Sequence, residues 1–296
     1  MAELTSCADS RENALSIIPA TELYDAQTLI NQTDAAYVLL AKFGSPSFGA
    51  LKNVNSSLAR ASAGGTLTMR ELLDVGEVLR VIRSRSEWRF SQPGAQSVLD
   101  VYFASLMPNK TLENRIFTSV MSEEEMADTA SPELASIRRK IKSRAQAIRE
   151  KLESMVRSTH YQKFLQDAII TQRNGRFVVP VKNEYRGEVP GLVHDTSGSG
   201  ATVFVEPLAV VEANNDIRVL QGKEKEEIER ILAELSAEVG EYAETVKNNY
   251  ECLAELDLIF AKAQLAYKMK ASVPILNTQG ITVLNRARHP LLDPKK

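Results

Sequence analysis

The residues in this chain whose types could do chemistry are few, and they do not gather. His160, His194 and His289 are the three histidines, and none has a cysteine or second histidine at a metal-ligand spacing. His194 beside Asp195 has the form of a general base oriented by a carboxylate. No nucleophile accompanies the pair, so a hydrogen-bonded structural histidine is the favoured reading. There is no G-x-x-x-x-G-K-[ST] phosphate loop and no G-x-S-x-G elbow. Thr196-Ser-Gly-Ser-Gly200 could cradle a phosphate on its amides, but it lies between apolar runs and reads better as a plain turn. Cys7 and Cys252 are too few and too far apart for a zinc site or a disulfide framework. We therefore expect no catalytic grouping, no metal and no cofactor in these residues.

What remains is a set of cations. Arg173, Arg176, Lys182 and Arg186, with His194, fall within one short segment whose nearby acids are Glu184, Glu188 and Asp195. Such groups suit contact with a nucleic-acid backbone. A merely soluble surface accounts for them equally well, and both readings stand. Trp88, the single tryptophan, sits near a helix end and reads as packing rather than base stacking.

The segment that carries the cations, Gln172 to Pro207, reads as strand. Phe177, Val179 and Val181 alternate, and Leu192-Val193 and Val203-Phe204-Val205 add two short apolar runs between Gly, Pro, Asn and Ser. Helical patterns flank it. Ser131-Pro132-Glu133 is a strong start, with Ser as N-cap and Pro at the first position. Leu134, Ile137, Ile141, Ala145, Ile148, Leu152 and Met155 then step by threes and fours. Carried on to about Ile169, this helix would span roughly 57 Å. A return helix is expected to start at Glu206-Pro207, with a seam at Ile217, Leu220, Ile231, Leu235, Tyr242, Val246, Leu253, Leu256 and Phe260. Between Glu133 and Lys163 the charge is +6, while the return helix is rich in Glu, so most of the basic run is expected to pair across the seam.

Before these arms, helical patterns recur through Lys42, broken at Pro19, with Thr21 as the cap of a helix from Glu22. A short piece follows at Leu51 to Arg60. Thr68-Met-Arg-Glu71 is a capping box, and after Ser91-Gln-Pro-Gly94 another helix runs through Val98 to Leu106. Near the other end Ile281-Thr-Val-Leu284 resembles a strand. The expected fold is mostly α: an irregular helical core domain, a long antiparallel two-helix coiled-coil lever, and a small antiparallel β clamp at its tip. The expected boundaries are 1–128 for the core, completed by 266–296; 129–171 and 206–265 for the lever; and 172–205 for the clamp.

Composition agrees with an ordinary soluble chain: 44% hydrophobic, 25% charged and a net charge of −2. No apolar run approaches the roughly 20 residues that a membrane span needs. The first residues lack the basic-then-apolar order of a secretory signal. No membrane partner and a reducing, cytoplasmic setting are the expectation.

Several stretches resemble the type 2 bacterial branch of the MutS family. They are SPELASIRRKI, the run from YQKFLQDAIITQRNGRFVVPVKNEYRG through GLVHDTSGSGATVFVEPLAVVEANNDIRVL, ELDLIFAKAQLA, and ARHPLLDP. The resemblance covers nearly the whole chain, weakest before about residue 125. It implies core, lever and clamp regions of a parent that also carries an ABC-type ATPase, with ATP and magnesium, and usually an Smr endonuclease domain. The chain then looks like a fragment without those two domains. Members of this branch are associated with branched-DNA binding, restraint of recombination and the splitting of stalled ribosomes. The resemblance thus implies DNA or a ribosome as partner and a homodimeric parent. The rival expectation is a structural lever that transmits motion to a protein or ribosomal partner without touching nucleic acid.

Overall fold

The structure, a computed structural model, describes residues 1–49, 51–91, 96–285, 287 and 289. Its α-helices are α1 (Ala8–Leu15), α2 (Leu23–Phe43), α3 (Asn55–Ser62), α4 (Met69–Phe90), α5 (Asp100–Ser105), α6 (Lys110–Ser119), α7 (Pro132–Arg157), α8 (Thr159–Gln162), α9 (Leu208–Glu241) and α10 (Ala243–Met269). Four strands, β1 (Thr171–Arg173), β2 (Arg176–Lys182), β3 (Gly191–Thr196) and β4 (Thr202–Pro207), form one antiparallel sheet in the order β1-β2-β4-β3. The chain divides into two compact units, residues 1–125 with 233–296, and residues 126–232. The fold is mostly α with a small antiparallel sheet.

In the first unit α10 is the central element, packed by α1, α2, α3, α4 and α5. Its Leu253, Leu256, Ile259 and Phe260 are buried, and the Trp88 ring lies edge-on to Phe260 at 6.0 Å. Trp88 is packing, as its position in the sequence indicated. Polar ties lace the same helix to its neighbours: Asp257 accepts from the amides of Ser6 and Cys7, and Asn249 bonds both backbone groups of Met107. The capping box at Thr68 and Glu71 is formed on both sides.

Several expectations for this unit need correction. Helix α2 starts after Glu22 with no side-chain cap, so Thr21 does not serve as one. The short helix lies at Asn55–Ser62, later than Leu51 to Arg60. Residues 281–284 form no strand. An apolar β-branched triplet is a weak signal without a partner strand to pair with. The loop expected at residues 91–94 and the ARHPLLDP stretch lie largely outside the described residues.

The second unit is built on α7 and the first part of α9, which run antiparallel. Ser131 contacts Glu227, Arg138 contacts Glu224 and Arg144 contacts Asp216, so numbers fall along α9 as they rise along α7. Ser131 caps α7 by accepting from the Leu134 amide, with Pro132 behind it. The sheet sits where α7 finishes and α9 begins. Ile148, Leu152 and Val156 of α7, Val179, Val181, Val203 and Val205 of the sheet, and Val210 and Ile217 of α9 share one apolar core.

Here too the sequence misled in places. The first arm is shorter than expected, because α7 stops at Arg157 rather than near Ile169. Ser158 takes extended angles (φ −70°, ψ 127°) and caps the short α8. Beyond it Phe164 and Leu165 turn into the sheet, where the Lys182 amide donates to the Phe164 carbonyl and Leu165 bridges Val181. Glu206 and Pro207 belong to β4, so the return helix begins at Leu208. That return is also not one helix to residue 265. Tyr242 interrupts it (φ −102°, ψ 6°), and residues from Ala233 onward belong to the first unit. Leu235, Val246, Leu253, Leu256 and Phe260 therefore bury into the helical unit, not against α7. A stripe at three-and-four spacing looks alike whichever surface it faces.

Candidate nucleic-acid interface

The four cations and His194 read from the sequence meet two different fates. At one corner of the sheet lies Glu206 of β4, whose side chain is fully buried. A carboxylate can be held there only if its oxygens are fully engaged. Arg176 Nη1 donates to both oxygens, at 2.8 and 3.0 Å. Asn214 Nδ2 donates to Oε1 at 2.7 Å, and His194 Nε2 lies 2.5 Å from Oε2. His194 reaches it because the β3–β4 register slips between Val193 and Asp195, a bulge that re-aims the intervening side chain. Asn214 in turn bonds both backbone groups of Phe177, and Arg176 Nη2 donates to Asn215. Gly191 closes this corner. A Cβ there would stand 2.2 Å from the Glu206 carbonyl oxygen. Arg176 thus ties the sheet to α9 through Glu206 and Asn215, and His194 bridges β3 to β4 through Glu206.

Arg173 is also engaged, though at the surface. Its guanidinium lies 4.0 Å over the Phe204 ring and 3.2 Å from Asp195. The Asn174-Gly175 turn beside it has both residues at positive φ, 50° and 74°, as a two-residue hairpin demands. The Ser197–Gly200 run is a plain turn, closed by the Ser197 amide on the Thr202 carbonyl and by the Gly200 amide on the Ser197 carbonyl.

Lys182 and Arg186 differ. Lys182 Nζ donates to the Lys163 carbonyl at 3.2 Å and stands 6.0 Å from the Tyr185 ring. Lys163 Nζ lies 4.7 Å over the Phe164 ring. Arg186, exposed on the 3-10 turn Asn183–Glu188, has no partner among the described residues. None of these three cations makes an ion pair among the described residues. Lys163 was read in the sequence as part of the lever's basic run. Its place beside Lys182 becomes visible only once α7 ends early and the chain folds back.

The charge pairing along α7 is sparser than expected. Of the nine basic residues from Arg138 to Lys163, only Arg138 and Arg144 reach acids on α9 among the described residues, at 2.7 and 3.3 Å. Lys140 and Lys142 are exposed, with no ion-pair partner among the described residues. Near the sheet, Arg149, Arg157, Gln162, Ile169, Gln172 and neighbouring residues line an open cleft of about 670 Å³.

Among the described residues no three His, Cys, Asp or Glu side chains gather to hold a metal, and no helix is long and apolar enough to cross a membrane. No model of a known protein family matches the chain. Curated relatives do. The chain is 40% identical to Endonuclease MutS2 of Acetivibrio thermocellus over 298 residues, covering 100% of the chain and 38% of that protein. It is 42% identical to Endonuclease MutS2 of Ruminiclostridium cellulolyticum, over 99% of the chain and 37% of the relative. The chain belongs to the MutS2 branch of the MutS family. The protein of the same name from Clostridioides difficile is likewise 42% identical, over 95% of the chain and 36% of its own length. The chain thus spans little more than a third of the MutS2 relatives it matches, and the surface around Lys182 lies within the matched part.

Proposed function

We propose that residues 126–232 form a nucleic-acid clamp element, holding phosphates through Lys163, Lys182 and Arg186, within a longer MutS2-type protein that acts on DNA. One observation carries this reading: Lys163, Lys182 and Arg186 make no ion pair among the described residues, while Arg173, Arg176 and His194 each lie against a carboxylate. Family membership supports the choice of nucleic acid as the anion. We infer further that the nuclease activity in the relatives' name, and the ATP and magnesium that MutS resemblance implies, reside outside these 296 residues. The supports are the missing phosphate loop and the lack of a metal-ligand cluster among the described residues. Branched DNA, recombination intermediates or a ribosome as target, and a homodimeric parent, complete the proposal at the level of the family.

The test is a mobility shift of the 296-residue protein with linear and branched DNA and with RNA, across a salt series. Each productive cation releases about one counterion. Lys182→Ala with Arg186→Ala is expected to weaken binding at low salt and lower the log–log slope by about 1.8. Sequence preference stays unchanged, because phosphate contacts position and do not specify. The comparison variant is Lys140→Glu with Lys142→Glu on α7. Loss of binding there, with the Lys182 and Arg186 variant intact, would move the contact surface onto α7. No binding by the wild type would leave the lever that transmits motion without touching nucleic acid.

A further inference from the structure

Beside the three cations that make no ion pair among the described residues, the second unit carries a run of rings. His160 meets Tyr161 at 5.0 Å and Phe164 at 5.6 Å between ring centroids, and Phe164 meets Tyr185 at 5.5 Å. Phe164 is the buried base of this run, 6% exposed, whereas Tyr185 keeps 38% of its surface open and His160 is exposed. Lys163 Nζ and Lys182 Nζ stand over the Phe164 and Tyr185 rings, at 4.7 and 6.0 Å. An exposed tyrosine alone is ordinary. This one is wedged against a buried ring, flanked by cations, and lies on a turn whose hydroxyl makes no hydrogen bond among the described residues.

The local charge sharpens the point. Lys163, Lys182 and Arg186 share this surface with Glu184 and Glu188 of the same turn, so the net is about one positive charge. Phosphate attraction of that size is weak, and a ligand that gains only charge contact would be held poorly here. A ring face beside a few cations is what single-stranded nucleic acid uses: bases stack on the ring while phosphates meet the cations. A base inside an intact duplex has no free face to offer.

We propose that Tyr185, supported by Phe164 and with His160 alongside, is a stacking platform for an unpaired nucleobase, and that it makes this surface prefer nucleic acid with unstacked bases over intact duplex. The inference rests on the phosphate reading above and adds to it a ligand group, the free base, and the residue that reads it. The base is common to DNA and RNA, so both are probes.

The experiment uses the 296-residue protein with short single-stranded DNA and RNA oligonucleotides carrying one 2-aminopurine, and with the paired duplex. Stacking on Tyr185 is expected to quench 2-aminopurine emission in the single strands and leave the duplex signal unchanged. Tyr185→Ala is expected to weaken single-strand binding about fivefold to a hundredfold, with duplex binding within about twofold of wild type. Tyr185→Phe keeps the ring and is expected to behave as wild type, which also separates stacking from loss of fold. Equal weakening of single strand and duplex by Tyr185→Ala would overturn the proposal, as would Tyr185→Phe failing like Tyr185→Ala. Salt-dependent binding that ignores Tyr185 would overturn the platform and leave the phosphate reading standing. Absence of any nucleic-acid binding would overturn both.

Discussion

Arg176 and Lys182 stand at opposite ends of the same seven-residue strand, and they do opposite work. Arg176 faces a carboxylate with no solvent exposure and is locked by bonds to Glu206 and Asn215. Lys182 faces another lysine's carbonyl and an aromatic ring, with no acid paired to it. The difference lies in the neighbours, not in the cations. A buried acid turns a positive side chain into a structural tie. Where the acid is missing, the same charge is available to a ligand.

The contrast predicts very unequal costs. Glu206→Ala leaves Arg176 without its partner in a mostly buried corner and releases His194 and Asn214. It is expected to lower stability by about 3 to 5 kcal/mol in urea unfolding. A change below about 1 kcal/mol would mean that the corner is wetter than its geometry implies. Leu152→Asp probes what the two ends share, since Leu152 lies in the apolar core with Phe164 under one end and Phe177 at the other. An unpaired carboxylate there is expected to cost roughly 3 kcal/mol or more and to reduce helicity. An unchanged melting curve would show that α7 and the sheet do not share a core.

Glu227 lies between the extremes, a buried carboxylate held by a half-exposed cation. Hydrogen bonds from Arg230 and Ser131 hold its pKa at about 2, below the usual 4.5. A depressed carboxylate stabilises fully above its unfolded value and loses that contribution as pH falls through the folded one. The urea midpoint should therefore drop between pH 4.5 and about 2, and Glu227→Gln should flatten that limb by about 1 kcal/mol, limited by solvent around Arg230. Equal acid limbs in the two proteins would remove Glu227 from the account. The smallest effect belongs to Lys182→Ala with Arg186→Ala, expected to change stability by less than about 0.5 kcal/mol. A larger loss would make those cations structural and erase the contrast.

How much of this was legible in the residues depends on how local each signal was. Ser131-Pro132 and the Thr68 capping box marked helix starts because a cap is decided within four residues. The β segment was legible as a whole, yet β1 was not, although Asn174-Gly175 is a hairpin signature beside it. The partner of a stripe was not legible. Leu235 to Phe260 have the rhythm of a seam but bury in the helical unit, a choice made by residues far away in sequence. The candidate cations were found by type, but their sorting was not. Arg176 looks as free as Lys182 until Glu206, thirty residues on, is brought beneath it.

The helical unit is discontinuous in sequence, residues 1–125 and 233–296, and α10 from the second stretch packs against α1 to α5 of the first. This has a consequence for synthesis. The apolar faces that α10 covers, including Tyr37 on α2 and Trp88 on α4, leave the ribosome more than a hundred residues before their cover does. At about 5 to 20 residues per second, a hundred residues alone take roughly 5 to 20 s. The intervening unit, residues 126–232, is continuous and can close during the wait. Nascent chains of this protein are therefore expected to hold an open helical surface during this interval, a window in which chaperone capture and misassembly compete with folding.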